Sequence, residues 1–377
     1  NMALFTLPPT PPRADLELEN FLRGKKMEHP IGRYKRMLAP EWFPQSGVQL
    51  TWPHADTDWA YMLPEITALY QRLAYEIATR ELLLIVAPDT ESVRRHLEEQ
   101  LPKRATDNII YIDCPTNDTW ARDHAFLSVL DTGKPELLDF GFNGWGGKFE
   151  AAADNAINRG VYASGRLEGS YIDCLDFILE GGSIESDGCG TILTTKACLL
   201  NPNRNPGLDQ AQITLRLQDY FGAPNVLWLS HGALIGDDTD SHIDTLARLC
   251  PGNKLVYVQC TNESDPQYAD LCAMEAELKT FKNADGEPFE LIPLPLPDSC
   301  EADGERLPAT YANYLVINKA VLFPTYGQPA KDDLAQKALH QAFPKYDLVG
   351  IDCRPLIKQH GSLHCATMQF PKGILHL

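Results

Sequence analysis

The sequence predicts an α/β fold in which one unit of strands and a helix is repeated around a common axis. Short apolar strands alternate with amphipathic helices along most of the chain. Four predicted hairpin turns carry a lysine at nearly constant spacing: Lys134, Lys196, Lys254 and Lys319. Polar residues follow buried strands with the same spacing. Because a small number of like units favours closure, we expect a five-module α/β propeller with pseudo-fivefold symmetry.

The first predicted module begins with a strand at 49–52 and a helix over 58–80. Apolar residues recur along that helix at every third or fourth position. A buried strand at 82–86, a second helix over 92–101 and a strand at 109–112 complete the unit. This alternation is typical of βαβ connections.

The same order recurs along the rest of the chain. The further modules are predicted to contain a hairpin and a strand, and three of them also a helix. The hairpins are predicted around 126–140, 192–200, 251–254 and 314–323, the helices over 208–221, 267–281 and 332–343, and the strands at 177–179, 226–229, 291–292 and 346–351.

The N-terminal segment differs from the rest in composition. Residues 1–40 are rich in proline and charge, and they include a basic cluster. We expect a solvated arm there, to which we assign no function. Residues 41–377 are then a single catalytic α/β-propeller domain.

Charge and composition narrow the class of partner. The chain has 377 residues, 44% of them hydrophobic, which is enough for a large core. Its formal net charge is -18 and its pI is about 4.9. Such a body repels nucleic acids and anionic membranes and attracts a small cationic substrate. The sequence leaves the presence of a homo-oligomer open.

The cysteines and the apolar runs predict a cytoplasmic protein. The ten cysteines are scattered without a Cys-x-x-Cys pair, as expected for reduced thiols. The N-terminal residues show neither a basic segment nor an apolar run of signal-peptide length. The longest apolar run, 82–87, is too short to span a bilayer.

Residues 361–365 carry a candidate nucleophile. Cys365 follows two small residues, which permit a close bend of the backbone, and His364 next to it can bias a thiol toward the reactive thiolate. Most free cysteines are buried as small hydrophobic residues, so this signal alone is weak.

Polar residues that directly follow other predicted strands, at positions we call strand exits, strengthen the interpretation of Cys365 as a nucleophile. These exits supply Asp123, Glu180 and the pair His242 and Asp244, which share one face of an extended segment. Three carboxylates suit a guanidinium, which is planar, cationic and rich in paired N–H donors. Cys365 would attack the guanidino carbon, and His242 would serve as general acid and base.

A metal site is the competing interpretation of the same residues. Histidine, aspartate and cysteine all bind zinc. The carboxylates, however, are spread over three modules, and no compact histidine-rich set is present. A lone Asp123 or Glu180 would also be typical of a helix cap or an ion pair. We therefore expect no metal and no cofactor.

The motifs, taken together, resemble the agmatine deiminase family, which is related to the Porphyromonas-type peptidylarginine deiminases. The resemblance covers nearly the whole chain beyond the arm. It rests on Trp52-Pro53-x-x-Asp56, Asn117-Asp118-x-Trp120-x-Arg122-Asp123, Leu179-Glu180-Gly181-Gly182-Ser183-Ile184, Leu199-Leu200-Asn201-Pro202-Asn203-Arg204-Asn205, His242-x-Asp244-x-x-Ala247-Arg248 and His364-Cys365.

The resemblance implies a pentein fold and hydrolysis of a guanidino group without metal or organic cofactor. It implies that Cys365 is the nucleophile and His242 the acid and base. The other implied roles are a guanidinium clamp of Asp123 and Asp244, a carboxylate at Glu180 that holds the substrate or orients His242, and a ring at Trp120 that packs on the guanidinium plane. Asp56 belongs to the first of these motifs and is expected to bind substrate. The acidic run Asp237, Asp238 and Asp240 could receive a terminal ammonium through Asp238, and a solvated turn is the other interpretation of this run.

The substrate beyond the guanidinium is open at this stage. The sequence departs from the family pattern at His54-Ala55, His124-Ala125, Ser241 and Gly361-Ser362. None of these positions is a catalytic group. We expect agmatine deiminase activity, which gives N-carbamoylputrescine and ammonia. The alternatives are a peptidyl-arginine deiminase, which makes citrulline, and a non-catalytic binding propeller.

Overall fold

The computed structural model describes residues 34–377. Its fold is mixed α/β. The strands are β1 Arg36–Leu38, β2 Gln45–Thr51, β3 Leu82–Ala87, β4 Ile109–Asp113, β5 Leu127–Asp131, β6 Lys134–Gly141, β7 Ser170–Ile178, β8 Ile184–Ser186, β9 Thr191–Thr195, β10 Asn225–Leu229, β11 Ala247–Cys250, β12 Lys254–Gln259, β13 Glu290–Pro295, β14 Cys300–Ala302, β15 Glu305–Leu307, β16 Leu315–Ile317, β17 Ala320–Thr325, β18 Asp347–Asp352 and β19 Thr367–Pro371.

Longer helices connect these strands, and short helical segments lie in the loops. The longer ones are α1 Leu63–Ala78, α2 Thr90–Gln100, α3 Ala152–Ala163, α4 Gln210–Phe221, α5 Tyr268–Leu278 and α6 Pro329–Ala342. The short segments are Ala60–Met62, Lys103–Thr106, Ala121–His124, Gly144–Gly147, Gly181–Ser183, Lys196–Leu199, Ile243–Thr245 and Arg354–Ile357. Among the described residues, no helix is long and apolar enough to cross a membrane.

One three-stranded unit recurs five times. In each, two antiparallel strands are followed by a helix and by a third strand, parallel to the central one. The units are β5-β6-β7, β8-β9-β10, β11-β12-β13, β16-β17-β18 and β19-β2-β3, the last extended by β4. The helix on the crossover covers the parallel pair, as in a βαβ connection.

Helix α1 shows why these segments are helical. Proline stands in its first turn, where a missing N–H costs nothing. Its apolar residues recur on one face, and the buried ones include Ile66, Tyr70, Leu73 and Ile77. The helix therefore packs this face on the sheet that contains β2 and β3.

The last unit joins two distant parts of the chain. Strand β19 pairs antiparallel with β2, so that Thr367 lies opposite Leu50 and Met368 opposite Gln49. Because Cys365 lies two residues before β19, this pairing fixes its position relative to the N-terminal part of the domain.

The predicted hairpin at 192–200 is wrong. Strand β9 pairs with β8, which precedes it, and residues 196–199 form a short helix capped by the Thr195 side chain. Lys196 therefore follows the central strand, whereas Lys319 lies in the turn between β16 and β17. The sequence match between the segments around these two lysines joins positions that are not equivalent in the fold.

Most of the predicted N-terminal arm, residues 1–33, lies outside the described residues. The part that follows is built into the first sheet, because β1 pairs antiparallel with β5. The Arg36 guanidinium donates to Asp131 at 3.1 Å and also bonds Glu136. These contacts explain why residues 36–38 form a strand.

Candidate active site

A cavity of about 200 Å³ is lined by four of the eight predicted site residues, Trp120, Asp123, Asp238 and Cys365. Glu180, His242 and Asp244 are fully buried and do not line it. The cavity is formed by loops that precede the recurring units or lie within them. Its walls are Asp58, Asp118, Trp120, Asp123, Trp145, Phe149, Asp238, Thr239, Gln359, His360, Gly361 and Cys365. A larger groove of about 400 Å³ lies beside β13 and α6, but it contains none of the predicted site residues.

Cys365 lies at the wall of this cavity and is only 5% exposed. Its Sγ lies 3.9 Å from Oδ2 of Asp244, and its backbone N–H donates to Oδ1 of Asn313 at 3.2 Å. Burial raises the pKa of the thiol well above its ordinary value, and the charges of Asp244 and Asp123 raise it further. A cation bound in the cavity would offset this effect.

Asp123 is held by two donors. Its Oδ1 accepts the backbone N–H of Gly182 at 3.0 Å, and its Oδ2 accepts the indole N–H of Trp145 at 2.9 Å. Burial raises the pKa of Asp123 to about 6, and the charges of Asp244 and Glu180 add to that rise. A positive group placed between these carboxylates would be strongly stabilised.

Asp244 has one engaged and one free oxygen. Its Oδ2 accepts the Nδ1–H of His364 at 2.8 Å. Its buried Oδ1 has no hydrogen-bond partner among the described residues. Burial opposes ionisation, but His364, His242 and Arg248 together lower the pKa of Asp244. A buried acceptor without a donor is costly, so Oδ1 is suited to a substrate N–H.

His242 lies between two carboxylates and is fully buried. Its Nε2 is 3.4 Å from Oε1 of Glu180, and its Nδ1 is 3.7 Å from Oδ1 of Asp123. Burial opposes the charged ring, but Asp123, Cys198 and Glu180 together raise the pKa of His242 well above its ordinary value. This shift favours the protonated imidazole, which is the form that a general acid requires.

Arg204 supports Glu180 from behind. Its Nε donates to Oε1 of Glu180 at 2.9 Å, and its Nη1 donates to Asp240 at 2.6 Å. A further N–H donates to the carbonyl of Thr239 at 2.9 Å. Burial alone would raise the pKa of Glu180, but His242 and Arg204 lower it. The ion pair thus keeps this carboxylate charged beside the histidine.

The three predicted substrate-binding residues are placed differently. The Trp120 ring lines the cavity, and it packs so closely on Gly361 that a Cβ there would lie 2.2 Å from the ring. Asp238 also lines the cavity, and burial followed by the charge of Asp237 raises its pKa to about 6. Asp56 is exposed and is not part of the wall. Asp58, two residues further on, is part of the cavity wall.

Two residues outside the predicted catalytic set also belong to the site. His364, which we expected to act on the thiol of Cys365, instead donates to Asp244, and its Nε2 contacts Oε2 of Glu41 at 2.9 Å, so its ring supports the carboxylate. Asn313 accepts from the backbone of Cys365. The fourth unit, which has no residue in the prediction, contributes Asn313 two residues before β16, just as Cys365 lies two residues before β19.

The geometry agrees with a comparison of the chain with known families. The sequence model of the Porphyromonas-type peptidyl-arginine deiminase family matches residues 37–371. The chain belongs to this family. The match covers all five units and every site residue described above.

Individual relatives cover similar lengths. A Legionella pneumophila protein named "Putative agmatine deiminase" is 34% identical over 90% of this chain and 97% of its own length. A Porphyromonas gingivalis structure, described as a "Putative Arginine Deiminase", is 49% identical, with a TM-score of 0.86 over 90% of this chain and all of that one. The C. jejuni agmatine deiminase is 36% identical, with a TM-score of 0.80 over 90% and 97% of the two chains.

Family membership makes the protein an enzyme. Agmatine deiminases hydrolyse a C–N bond of a linear amidine, and the chain matches proteins of that name over nearly their full length. The cavity described above is the place in the fold where the family motifs meet, so it is the candidate active site of this hydrolase.

Two groups of described residues have donor atoms close enough to share a metal ion. They are Glu180 with Cys198 and His242, and Glu41 with Glu185 and His364. In each group, a buried arginine already binds the carboxylates, Arg204 in the first and Arg248 in the second. A guanidinium supplies the positive charge that a metal would bring, so these donor sets fit ion pairs better than a metal centre.

A substitution at Gly182 tests how closely the side chains of the candidate active site are packed. A Cβ at this position would lie 2.7 Å from Nδ1 of His242, 2.9 Å from Oδ1 of Asp123 and 3.0 Å from Oδ2 of Asp244. The Gly182→Ala variant must therefore displace catalytic groups, and we expect kcat/KM to fall by about 100-fold, since misplacement by about 1 Å has that cost. Steady-state ammonia release measures it.

The matched control for this variant is Gly350→Ala. Gly350 also lacks a positive φ, and its added Cβ would meet only the Thr325 methyl group below 3.0 Å. We expect unchanged turnover. Wild-type kcat/KM in a folded Gly182→Ala protein would show that the three side chains are not confined as described.

Proposed function

We propose that this protein is an agmatine deiminase, which converts agmatine and water to N-carbamoylputrescine and ammonia through a covalent cysteine intermediate. One observation carries the proposal. The cavity around Cys365 is lined by Asp58, Asp118, Asp123 and Asp238, and neither lysine nor arginine is among its lining residues. Such a cavity favours a substrate with a cation at each end.

The guanidinium is expected to bind between Asp123 and Asp244. The unpartnered Oδ1 of Asp244 is available for one N–H, and the carboxylate of Asp123 for others. The Trp120 ring on the cavity wall would pack against the plane of the guanidinium. The bound cation would stabilise the thiolate of Cys365, so substrate binding and activation of the nucleophile would be coupled.

In the first half of the reaction, Sγ of Cys365 forms a bond to the guanidino carbon. The tetrahedral intermediate collapses as the C–N bond to one terminal nitrogen breaks, and His242 gives that nitrogen a proton so that ammonia leaves. The product of this step is an amidino-thioether on the enzyme.

In the second half, His242 accepts a proton from a water molecule, which attacks the same carbon. The C–S bond then breaks, which returns the thiolate and releases the ureido product. Glu180 and Arg204 hold His242 in place for both proton transfers.

The far end of the substrate is expected to meet the remaining carboxylates. The predicted acidic run divides into two kinds of residue. Asp237 and Asp240 are engaged, the first by backbone N–H groups of Thr239 and Ser241 and the second by Arg204 and Lys148. Asp238 lines the cavity, as do Asp58 and Asp118 on the opposite loops. These three could receive the ammonium of agmatine.

A peptidyl-arginine deiminase is the second candidate. The name of the family supports it, as does a solved structure 42% identical to this chain that is described as a "putative peptidyl-arginine deiminase". The same cavity disfavours free arginine, because its α-carboxylate would face acidic side chains and the nearby Lys148 is already paired with Asp240. An internal arginine in a peptide lacks that carboxylate and so is the stronger competitor.

An ammonia-release assay across four substrates decides between these functions. We expect kcat/KM for agmatine to exceed that for free arginine by about 100-fold or more, because like-charge contacts cost several kcal/mol. Butylguanidine, which lacks only the distal ammonium, should fall between the two. Faster turnover of an internal arginyl peptide than of agmatine would contradict the proposal.

We also infer that the five recurring units are the blades of a pentein propeller, with the site at its centre. The convergence of loops from all five units on Cys365 and its neighbours supports this arrangement. The ten cysteines are unpaired, which suits a reducing compartment such as the cytoplasm. There, the product would enter putrescine synthesis.

A further inference from the structure

The fourth unit contributes a side chain that touches the backbone of the nucleophile. Asn313 is fully buried, and it lies two residues before β16. Its Oδ1 accepts the backbone N–H of His364 at 2.9 Å and that of Cys365 at 3.2 Å. Its Nδ2 donates to the backbone carbonyl of Asp244 at 3.3 Å.

These partners fix the orientation of the amide. The two backbone N–H groups can only donate, and the carbonyl can only accept. The Asn313 amide therefore cannot be reversed without losing all three bonds. It joins the segment that carries the nucleophile to the segment that carries Asp244 through an acceptor and a donor at the two ends of one amide.

The segment that carries Asn313 is itself firmly held. The Thr310 hydroxyl donates to the carbonyl of Thr245 at 2.8 Å, and the Arg248 guanidinium donates to the carbonyl of Ala312 at 2.9 Å. The Tyr326 hydroxyl donates to the carbonyl of Thr310 at 2.9 Å. Each of these side chains is buried. A rigid support of this kind is what a precisely placed reacting atom requires.

We propose that Asn313 is a positioning residue, which sets the place and the reactivity of the Cys365 thiol relative to Asp244. This inference rests on the proposed function, in which Cys365 is the nucleophile. Asn313 would act through the backbone of Cys365 and need not touch the substrate.

The isosteric variant Asn313→Asp is the sharpest test. It keeps the acceptor for the two backbone N–H groups but turns the donor into a carboxylate oxygen facing the carbonyl of Asp244. It also adds a third negative charge beside Cys365, where Asp123 and Asp244 already disfavour the thiolate. The readout is the rate at which iodoacetamide alkylates the Cys365 peptide as a function of pH, followed by mass spectrometry.

Asn318→Asp is the matched control. Asn318 also bonds the backbone of a distant segment through both ends of its amide. Its Oδ1 accepts from the N–H of Gln45 and its Nδ2 donates to the carbonyl of Gln45, both at 3.0 Å. It lies at the other end of β16, outside the cavity. The control thus introduces the same chemical change without placing it next to the thiol.

We expect the Asn313→Asp protein to be alkylated about tenfold or more slowly at a given pH, with its midpoint moved to higher pH and turnover reduced in parallel. Asn318→Asp should keep the wild-type midpoint. Asn313→Ser is measured beside it, because the shorter hydroxyl cannot reach both segments and carries no charge at any pH, and we expect a loss of turnover. A folded Asn313→Ser protein with wild-type alkylation and turnover would overturn the inference. Alkylation needs no substrate, so failure of the proposed function would be recognised separately.

Discussion

The Cys365→Ser variant is expected to lose ammonia release from agmatine by about 10⁴-fold or more. A serine hydroxyl occupies nearly the same space but is much less acidic than a thiol and a poorer nucleophile. The cavity makes this difference larger. Burial together with Asp244 and Asp123 already disfavours an anion at this position, so only the more acidic thiol can be ionised there by a bound cation.

Mass spectrometry adds a direct test of the same residue. Wild-type enzyme quenched during turnover should carry an adduct on the Cys365 peptide with the mass of agmatine less ammonia. The variant should carry none. Cys114→Ser is the control, since Cys114 is also buried but does not line the cavity. Normal turnover by Cys365→Ser would refute covalent catalysis at this residue.

The His242→Asn variant is expected to show the second largest loss, about 10²- to 10⁴-fold in kcat, the usual contribution of a general acid or base. Asparagine cannot give a proton to the departing nitrogen or take one from water. The raised pKa of His242 also fixes the direction of the pH effect. The wild-type ring keeps its proton across neutral pH and loses it only well above its ordinary range, so the alkaline limb of kcat should report this group.

The alkaline limb should therefore change in His242→Asn, which a purely structural defect would not cause. His96→Asn is the control, because that histidine bonds only the Gln71 side chain on the surface helices. Unchanged kcat in His242→Asn would remove the residue from the mechanism and leave Glu180 to explain the proton transfers.

The proximity of the candidate site residues was easier to predict from the sequence than the pairing of the strands. Local polarity after a buried strand marks residues that face a common centre, and Asp123, Glu180, His242 and Asp244 do lie within reach of one another. Strand and helix positions followed from periodicity, as for α1 and β3. These signals are local, and so they can be read from one chain.

The pairing of strands was less predictable, because it depends on contacts far apart in the sequence. The sequence around Lys196 and Ala197 is typical of a turn, yet the Thr195 side chain caps a short helix there. Strand β9 pairs with β8, which precedes it, and not with a strand that follows. The motif pointed to Asp56, whereas the loop places Asp58 on the cavity wall. Asn313 carries no charge, so the search for ionisable groups at strand exits does not find it.

The pairing of β19 with β2 has a consequence for how the enzyme is made. The two strands are separated by more than three hundred positions, and the nucleophile lies just before the later one. During synthesis, Asp244 and the segment that carries Asp123 leave the ribosome well before their partners His364 and Cys365. The proposed hydrolysis would therefore begin only after β19 has paired with β2.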